Sequence, residues 1–354
     1  MIEMSDRFSN KSFVSVIVPC RNETRFIRRC LDSLISQDYP KEQIEILVID
    51  GMSEDGTRDI VKEYSERYSF VKVIDNPEKI VPTAMNLGIQ SANGDIIIRM
   101  DAHARYEKDY ISKCVKYLTE SDADNVGGIW VTLPGRERHL VAESIALALS
   151  HPFGIGNAHY RTGSKEPKYV DTVPFGCYKR EVFEKIGLFD EDLVRNQDDE
   201  FNLRLIKNGG KILLVPDIVS YYYSRDSLSK VWKMFFQYGY FKPLVALKVS
   251  GVLTWRQVVP ALLVGSLLGS LLLSFIFKPF FWMFLSIFSL YGIVNLGISF
   301  HIVMKKGWKI FFMLPIVFST VHFSYGIGYL KGIFDFILFK KHKKKKIQDV
   351  PLTR

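Results

Sequence analysis

Two regimes of hydrophobic patterning divide the chain. Up to about residue 250 apolar residues come in short runs broken by charge, and from Val258 they dominate with almost no acid. Val14 to Pro19 is a β-branched run closed by a proline, which predicts a buried strand. Thr24 is expected to cap a helix, because Ile27, Cys30, Leu31 and Leu34 recur at helical spacing. Ile44 to Ile49 predicts a second strand, closed by Asp50-Gly51, and a helix follows from Thr57 with Ile60, Val61 and Tyr64 inward. Val71 to Ile74, Pro82 to Ala92 and Asp95 to Met100 continue as strand, helix and strand, ending at Asp101.

This alternation predicts an α/β fold, a mostly parallel sheet flanked by helices on both faces. In such sheets ligands bind beyond the carboxyl ends of the strands. The polar residues expected there are Asn22 and Glu23, then Asp50, then Asp101 and His103. Three strand ends thus bring acidic or metal-competent groups to one edge.

Beyond Val131 the pattern loosens. Pro134 to Gly163, rich in Gly, His and Arg, reads as long functional loops. Arg180 to Ile186 predicts a helix leading to Asn196-Gln197-Asp198-Asp199-Glu200. Glu200 to Lys207 is amphipathic, and Lys211 to Val215 predicts another strand. Ser227 to Lys242 is an aromatic, basic, amphipathic stretch of the kind that lies on a membrane surface.

Val258 to Phe277 is 20 residues without a charge, enough to cross a hydrocarbon core of roughly 30 Å. Pro279 to Met304 is a second such segment, and Ile310 to Leu330 a third, interrupted by Pro315 and His322. Trp255 and Arg256 stand where an interfacial anchor belongs. The expected organisation is a catalytic domain over 1–225, an interfacial segment over 226–254, a membrane region over 255–335 and a basic tail over 336–354.

The net charge of +9 does not point to nucleic acid, because Lys340, Lys341 and Lys343 to Lys346 concentrate it beside the apolar region, where anionic lipid is the fitting partner. Three simple crossings would place that tail outside. The positive-inside rule instead favours a cytoplasmic tail, with the third segment re-entrant or interfacial. The polar N-terminus carries no signal-peptide pattern, so the catalytic domain is expected in the cytoplasm, anchored to the inner (plasma) membrane by several passes. Cys20, Cys30, Cys114 and Cys177 show neither zinc spacing nor a disulfide framework.

Transfer of a sugar from a nucleoside diphosphate requires neutralisation of the departing pyrophosphate. It also requires a carboxylate or histidine to take the acceptor's proton. Residues Phe13 to Leu228 resemble inverting family 2 glycosyltransferases of the GT-A fold. The resemblance rests on Ser15-Val16-Ile17-Val18-Pro19 with Asn22-Glu23, Val48-Ile49-Asp50-Gly51-Met52-Ser53 with Asp55-Gly56-Thr57, and Asn86-Leu87-Gly88 with Ala92-Asn93-Gly94-Asp95. Asp101-Ala102-His103 and Asp198 with Glu200 and Arg204 complete it. The pairing of Asp50-Gly51-Met52-Ser53 with Asp101-Ala102-His103-Ala104-Arg105 is similar to the succinoglycan-type branch, which extends lipid-linked exopolysaccharide units.

The resemblance implies a nucleotide-sugar donor held by Pro19, Asn22, Glu23, Asp50, Ser53 and Asp101, with Glu23 and Asp50 on the ribose and uracil. It implies Asp101 and His103 at a divalent cation and diphosphate, and Asp198 as the base that activates a hydroxyl of a lipid-linked saccharide. Gly176, Asp199, Glu200 and Arg204 would contact the acceptor or support the site. Two departures from the family pattern matter. His103 stands where a second Asp is usual, which favours Mn²⁺ over Mg²⁺, and Gln197 replaces an acid before Asp198.

Plainer roles stand beside these. Asp55 suits a helix cap or turn, Asp190 to Asp192 a solvated face, and Arg204 a pair with Glu200 one turn away. A processive polysaccharide synthase is disfavoured because Gln237-Tyr238-Gly239-Tyr240-Phe241 lacks the Arg and Trp of a Gln-x-x-Arg-Trp motif. A polyprenyl-phosphate sugar synthase would need no base in the place of Asp198. A non-catalytic sugar-nucleotide-binding assembly partner would not need the intact acidic set.

Overall fold

The computed structural model describes residues 12–250 and 254–341. The first eleven residues and Lys343 to Lys346 lie outside the described residues, as does the side chain of Trp255. The chain divides into two compact units, one made of 1–131 and 159–223, the other of 132–158 and 224–354.

The first unit carries the sheet. Its elements begin β1 (Val14–Cys20), α1 (Ile27–Ile35), β2 (Ile44–Asp50), α2 (Thr57–Arg67), β3 (Val71–Asp75), α3 (Val81–Ser91) and β4 (Ile96–Arg99). They continue with β5 (Ala104–Tyr106), α4 (Tyr110–Glu120) and β6 (Asn125–Leu133). After α5 (Leu140–Ala148) and α6 (Pro152–Ile155), which belong to the second unit, the first unit resumes with α7 (His159–Thr162), β7 (Lys168–Tyr169), β8 (Cys177–Lys179), α8 (Arg180–Ile186), α9 (Gln197–Lys207) and β9 (Ile212–Tyr223). The strand order is β3-β2-β1-β4-β8-β6-β9-β5, with β7 on β9.

The parallel pairing that the alternation predicts holds for β1 to β4. Beyond β4 the strand–helix alternation stops, and β8 pairs antiparallel with both β4 and β6. Both faces are covered. Val16 and Val18 point into a core with α1 and α4, while Ile17 between them points into a second core with α3, α8 and α9. That two-sided burial is why these strands read as continuous apolar runs.

Several residues of the ordered motif prove to be scaffold. An added Cβ at Gly88 would lie 2.5 Å from Ile17, and one at Gly94 would lie 2.6 Å from the Ser15 amide. Buried Glu45 ties β1 to the Asn93-Gly94 turn and to β3, accepting from Ser15 Oγ at 2.7 Å, Asn93 N at 2.7 Å and Lys72 Nζ at 2.9 Å. Burial raises the Glu45 pKa, but these hydrogen bonds outweigh it and hold the carboxyl below its ordinary value.

Three expectations are corrected. Thr24 does not cap α1: the chain turns through Phe26 without a side-chain cap, and Thr24 Oγ1 donates to Asp55 O instead. The stretch 134–163 is largely helical, because His139 and His151 act as N-caps for α5 and α6 through Ala142 N and Phe153 N. The strand expected to end at Val215 runs through Pro216 to Tyr223, since pairing with β7 and β5 continues on both sides of the proline.

In the second unit, α10 (Leu228–Val249) packs its apolar residues, among them Val231, Met234 and Phe241, against α13 (Met313–Gly332). Backbones approach closely there, since a Cβ at Gly328 would lie 2.1 Å from Phe236 O and one at Gly239 2.1 Å from Tyr325 O. The buried side of this stretch thus lies against α13, while Trp232 is exposed. Among the described residues two helices are long and apolar enough to cross a membrane, α12 (Pro279–Lys306) and the span from Met313 to Leu338. The charge-free run from Val258 yields α11 (Val259–Ser274), whose 16 residues fall short of a simple crossing. The third segment is one continuous helix. Pro315 falls in its first turn, and His322 is held by Phe153 O at 2.7 Å and Tyr291 Oη at 3.0 Å.

Candidate active site

The carboxyl ends of β1 to β4 lie side by side, with Cys20 opposite Asp50 and Asp50 opposite Asp75 in register. The turns beyond them are tightly fixed. Asn22 and Met52 both adopt left-handed backbone conformations, φ 54° and 55°. Asn22 N donates to Ser53 Oγ at 2.9 Å, and Asn22 Oδ1 accepts from Glu54 N at 3.0 Å. Pro19 is the penultimate residue of β1, opposite Ile49. Asp55 accepts from the Thr57 and Thr24 amides at the start of α2, the turn role expected of it.

Asp50 sits at the last position of β2. Its carboxylate is fully buried, with Oδ1 taken by Ser53 Oγ at 2.5 Å and Oδ2 by Ser53 N at 3.0 Å and Arg58 at 2.8 Å. Arg58 in turn pairs with Asp75 at 2.8 Å. Asp50 thus fixes Ser53 and Arg58 at the end of β2. Arg58 went unnoticed in the sequence because an Arg in the first turn of a helix reads as a solvated side chain.

The Asp101 turn is held from its backbone, since Asp101 O accepts from Ala104 N at 3.1 Å and Tyr106 Oη at 3.2 Å. Its carboxylate receives Arg99 Nε on Oδ1 at 2.8 Å and Arg99 Nη2 on Oδ2 at 3.3 Å. Burial pushes the Asp101 pKa up, but Arg99, His103 and Arg195 outweigh it and keep the carboxyl below its ordinary value. His103 Nδ1 lies 3.4 Å from Glu23 Oε1, and its ring meets Tyr222 edge-on at 5.4 Å. Arg105, further along the same turn, covers the Tyr221 ring at 4.0 Å.

Asp198 lies in the first turn of α9, which starts from Asn196 at φ 60°. Arg99 feels both Asp101 and Asp198, which raise its pKa against the opposing effect of burial. The ion pair of that guanidinium is with Asp101. The sequence did hold a signal for it: Arg99 is the one charge between Ile96-Ile97-Ile98 and Asp101.

The remaining expected residues hold local structure around α8 and α9. Asp199 N donates to Asp198 Oδ1 at 3.1 Å. Buried Glu200 pairs with Arg204 at 2.7 Å, and Arg204 also donates to Ile186 O and to Leu188 O, so this pair closes α9 on the end of α8. Gly176 follows Phe175 at φ 49°, and a Cβ there would lie 2.5 Å from Asn125 Oδ1. The acidic run 190–192 is not wholly a solvated face, because Glu191 accepts from Asn86 Nδ2 at 2.8 Å.

A divalent cation can draw one carboxylate from Asp101 and one imidazole from His103. No group of three or more His, Cys, Asp or Glu among the described residues could hold a metal alone. Both Asp101 oxygens accept from Arg99 and His103 Nδ1 faces Glu23, so a cation held there would need most of its shell from diphosphate oxygens and water. The four cysteines are buried and form no disulfide.

Residues 15–187 match the profile of Glycosyl transferase family 2. A dolichyl N-acetyl-alpha-D-glucosaminyl phosphate 3-beta-D-2,3-diacetamido-2,3-dideoxy-beta-D-glucuronosyltransferase of Methanococcus voltae is 32% identical over 327 residues, 91% of this chain and 97% of that protein. The succinoglycan biosynthesis protein ExoA of Rhizobium meliloti is 28% identical over 270 residues, 76% of this chain and 80% of that protein. Among solved structures, the mannosyltransferase PcManGT of Pyrobaculum calidifontis in complex with GDP-Man and Mn²⁺ superposes with a TM-score of 0.59 at 18% identity, covering 92% of this chain and 88% of that one. That likeness concerns the fold.

Proposed function

The chain belongs to glycosyl transferase family 2, and we propose that it moves a hexose from a UDP-linked donor to a hydroxyl of a lipid-linked saccharide, with inversion at the anomeric carbon. The observation that carries this reading is the meeting of the ends of β1, β2 and β4 at one sheet edge, which brings Asn22, Asp50 and Asp101 together, with Asp198 in the first turn of α9. A donor-side acid and an acceptor-side base must flank one reacting centre in any single displacement.

In this reading the nucleoside lies along the Asn22–Glu23 and Ser53 turns, with Asp50 acting through Ser53 and Arg58. Asp198 takes the proton of the acceptor hydroxyl as its oxygen attacks the anomeric carbon. The bond from that carbon to the diphosphate oxygen breaks, and its electron pair leaves with the nucleoside diphosphate. The proton on Asp198 then passes to solvent. Asp101 and His103 would hold a divalent cation, which would neutralise charge on that leaving group, and Mn²⁺ would suit the imidazole better than Mg²⁺.

The lipid-linked acceptor is supported by the dolichyl phosphate sugar in the name of the Methanococcus voltae relative. It is also supported by the two helices apolar enough to cross a membrane, which would make this a multi-pass inner-membrane protein with its catalytic unit in the cytoplasm. A role in exopolysaccharide or cell-surface glycan assembly follows from the same acceptor class.

The test is a donor screen on the full chain in lipid, with Mn²⁺ and a polyprenyl-pyrophosphate saccharide as acceptor. Transfer of one sugar to the saccharide is the expected result. Transfer to polyprenyl monophosphate alone, or chains of many added sugars, would replace this reading with one of its rivals.

A further inference from the structure

Trp130 on β6 and Tyr222 on β9 stack face to face, their ring centroids 4.4 Å apart and their planes 16° from parallel. On the indole lies the guanidinium of Arg161 from α7, 4.2 Å from the Trp130 centroid. It is also 5.5 Å from the Tyr160 ring and 5.6 Å from the Tyr222 ring. Tyr160 closes the arrangement edge-on to Trp130 at 5.0 Å. The far end of the stack is His103, edge-on to Tyr222 at 5.4 Å. Arg161 and His103 are thus both neighbours of one buried tyrosine ring.

An arginine side chain ordinarily loses rotamer freedom when it binds a ligand. Here three rings restrict it beforehand, and Arg161 Nε is also 3.5 Å from Tyr160 Oη. Cation–π contact fixes the plane of a guanidinium but does not neutralise it. Its in-plane N–H groups keep the fork geometry that suits phosphate oxygens. The chain also lacks a second carboxylate in the Asp101-Ala102-His103 triplet, so the diphosphate's charge must be met in part by something other than a cation held on two acids.

We infer that Arg161, fixed on the Trp130–Tyr222 stack, is a diphosphate-binding residue that helps bind and stabilise the donor's leaving group beside His103. The inference rests on the glycosyltransferase reading above, and it names a contact that the ordered sequence motifs do not contain. Its consequence is selective: Arg161 contributes to binding the diphosphate and nothing to binding the nucleoside.

The experiment is calorimetric titration of the full-length protein in lipid with Mn²⁺, comparing UDP with uridine, and GDP with guanosine. Arg161→Gln should weaken the nucleoside diphosphate about tenfold or more, as loss of a charged hydrogen-bonding partner does, and leave the nucleoside unchanged. Arg161→Lys should fall between the two, since it keeps the charge without the fork. Trp130→Leu should reproduce much of the loss with Arg161 intact. Unchanged diphosphate binding in Arg161→Gln overturns the inference alone, and so does an equal loss for nucleoside and diphosphate, which would make Arg161 structural. If the unaltered protein binds no nucleoside diphosphate, the functional reading falls and the inference with it.

Discussion

Arg99 grips both oxygens of Asp101, with Nε on Oδ1 at 2.8 Å and Nη2 on Oδ2 at 3.3 Å, from two residues earlier on the same strand end. Their side chains are 14% and 16% exposed, so each charge depends on the other for what water would have supplied.

Arg99→Met should destabilise the folded protein by about 3 kcal/mol, because it leaves the Asp101 carboxylate uncompensated in a mostly buried site. Chemical unfolding monitored by tryptophan fluorescence checks this. Arg99→Lys should recover part of the stability but little activity, since the two-pronged grip is lost.

Asp198→Asn should lower kcat by about 10² to 10⁴-fold, the range for removal of a general base, while the Kd for the nucleoside diphosphate stays as it was. Normal turnover in this variant would remove Asp198 from the mechanism.

Arg204→Ala should act on stability rather than chemistry. It strips buried Glu200 of its partner and leaves the Ile186 and Leu188 carbonyls without their donor, at a cost of about 3 kcal/mol. Below the lowered melting temperature the KM for the donor should be unchanged.

Glu45 gives a pH signature away from the active site. Its folded pKa lies below the ordinary carboxyl value, so its ionised form stabilises the fold above the unfolded pKa of about 4.3. That contribution is lost as pH falls through the lower folded value. Glu45→Gln should therefore cost about 2 kcal/mol at pH 7, and the gap to the unaltered protein should close below pH of about 4. Denaturant midpoints across that range decide it.

Replacing the imidazole should change the cation preference. His103→Asp is expected to shift the better activator from Mn²⁺ towards Mg²⁺, because it exchanges a nitrogen ligand for a hard oxygen. Chelation should stop transfer in both forms, and a titration of each cation in the restored reaction reads the shift.

Much of the catalytic unit was legible in the sequence because local rules govern it. Two-sided burial makes β1, β2 and β4 continuous apolar runs, and a parallel sheet must bring their ends to one edge, so Asn22, Asp50 and Asp101 could be placed together. The antiparallel half was not legible to the same degree. Pro216 inside β9 hid the strand that carries Tyr222, and histidines that cap α5 and α6 looked like loop residues. Asp50 was placed correctly on its strand end, but nothing local says that its oxygens are already used by Ser53 and Arg58.

The sequence by itself determined the family, the order of the strand-end motifs and the division between a polar catalytic stretch and an apolar one. Each of these is a property of residue type and spacing along the chain. Only the tertiary structure decided that Arg99 belongs to Asp101, that Arg204 belongs to α8 as much as to Glu200, and that Arg161 reaches Trp130 and Tyr222. Side-chain pairing across long separations follows from which elements pack together and how far apart their backbones lie. Periodicity assigns a residue to a face, but packing alone chooses its partner.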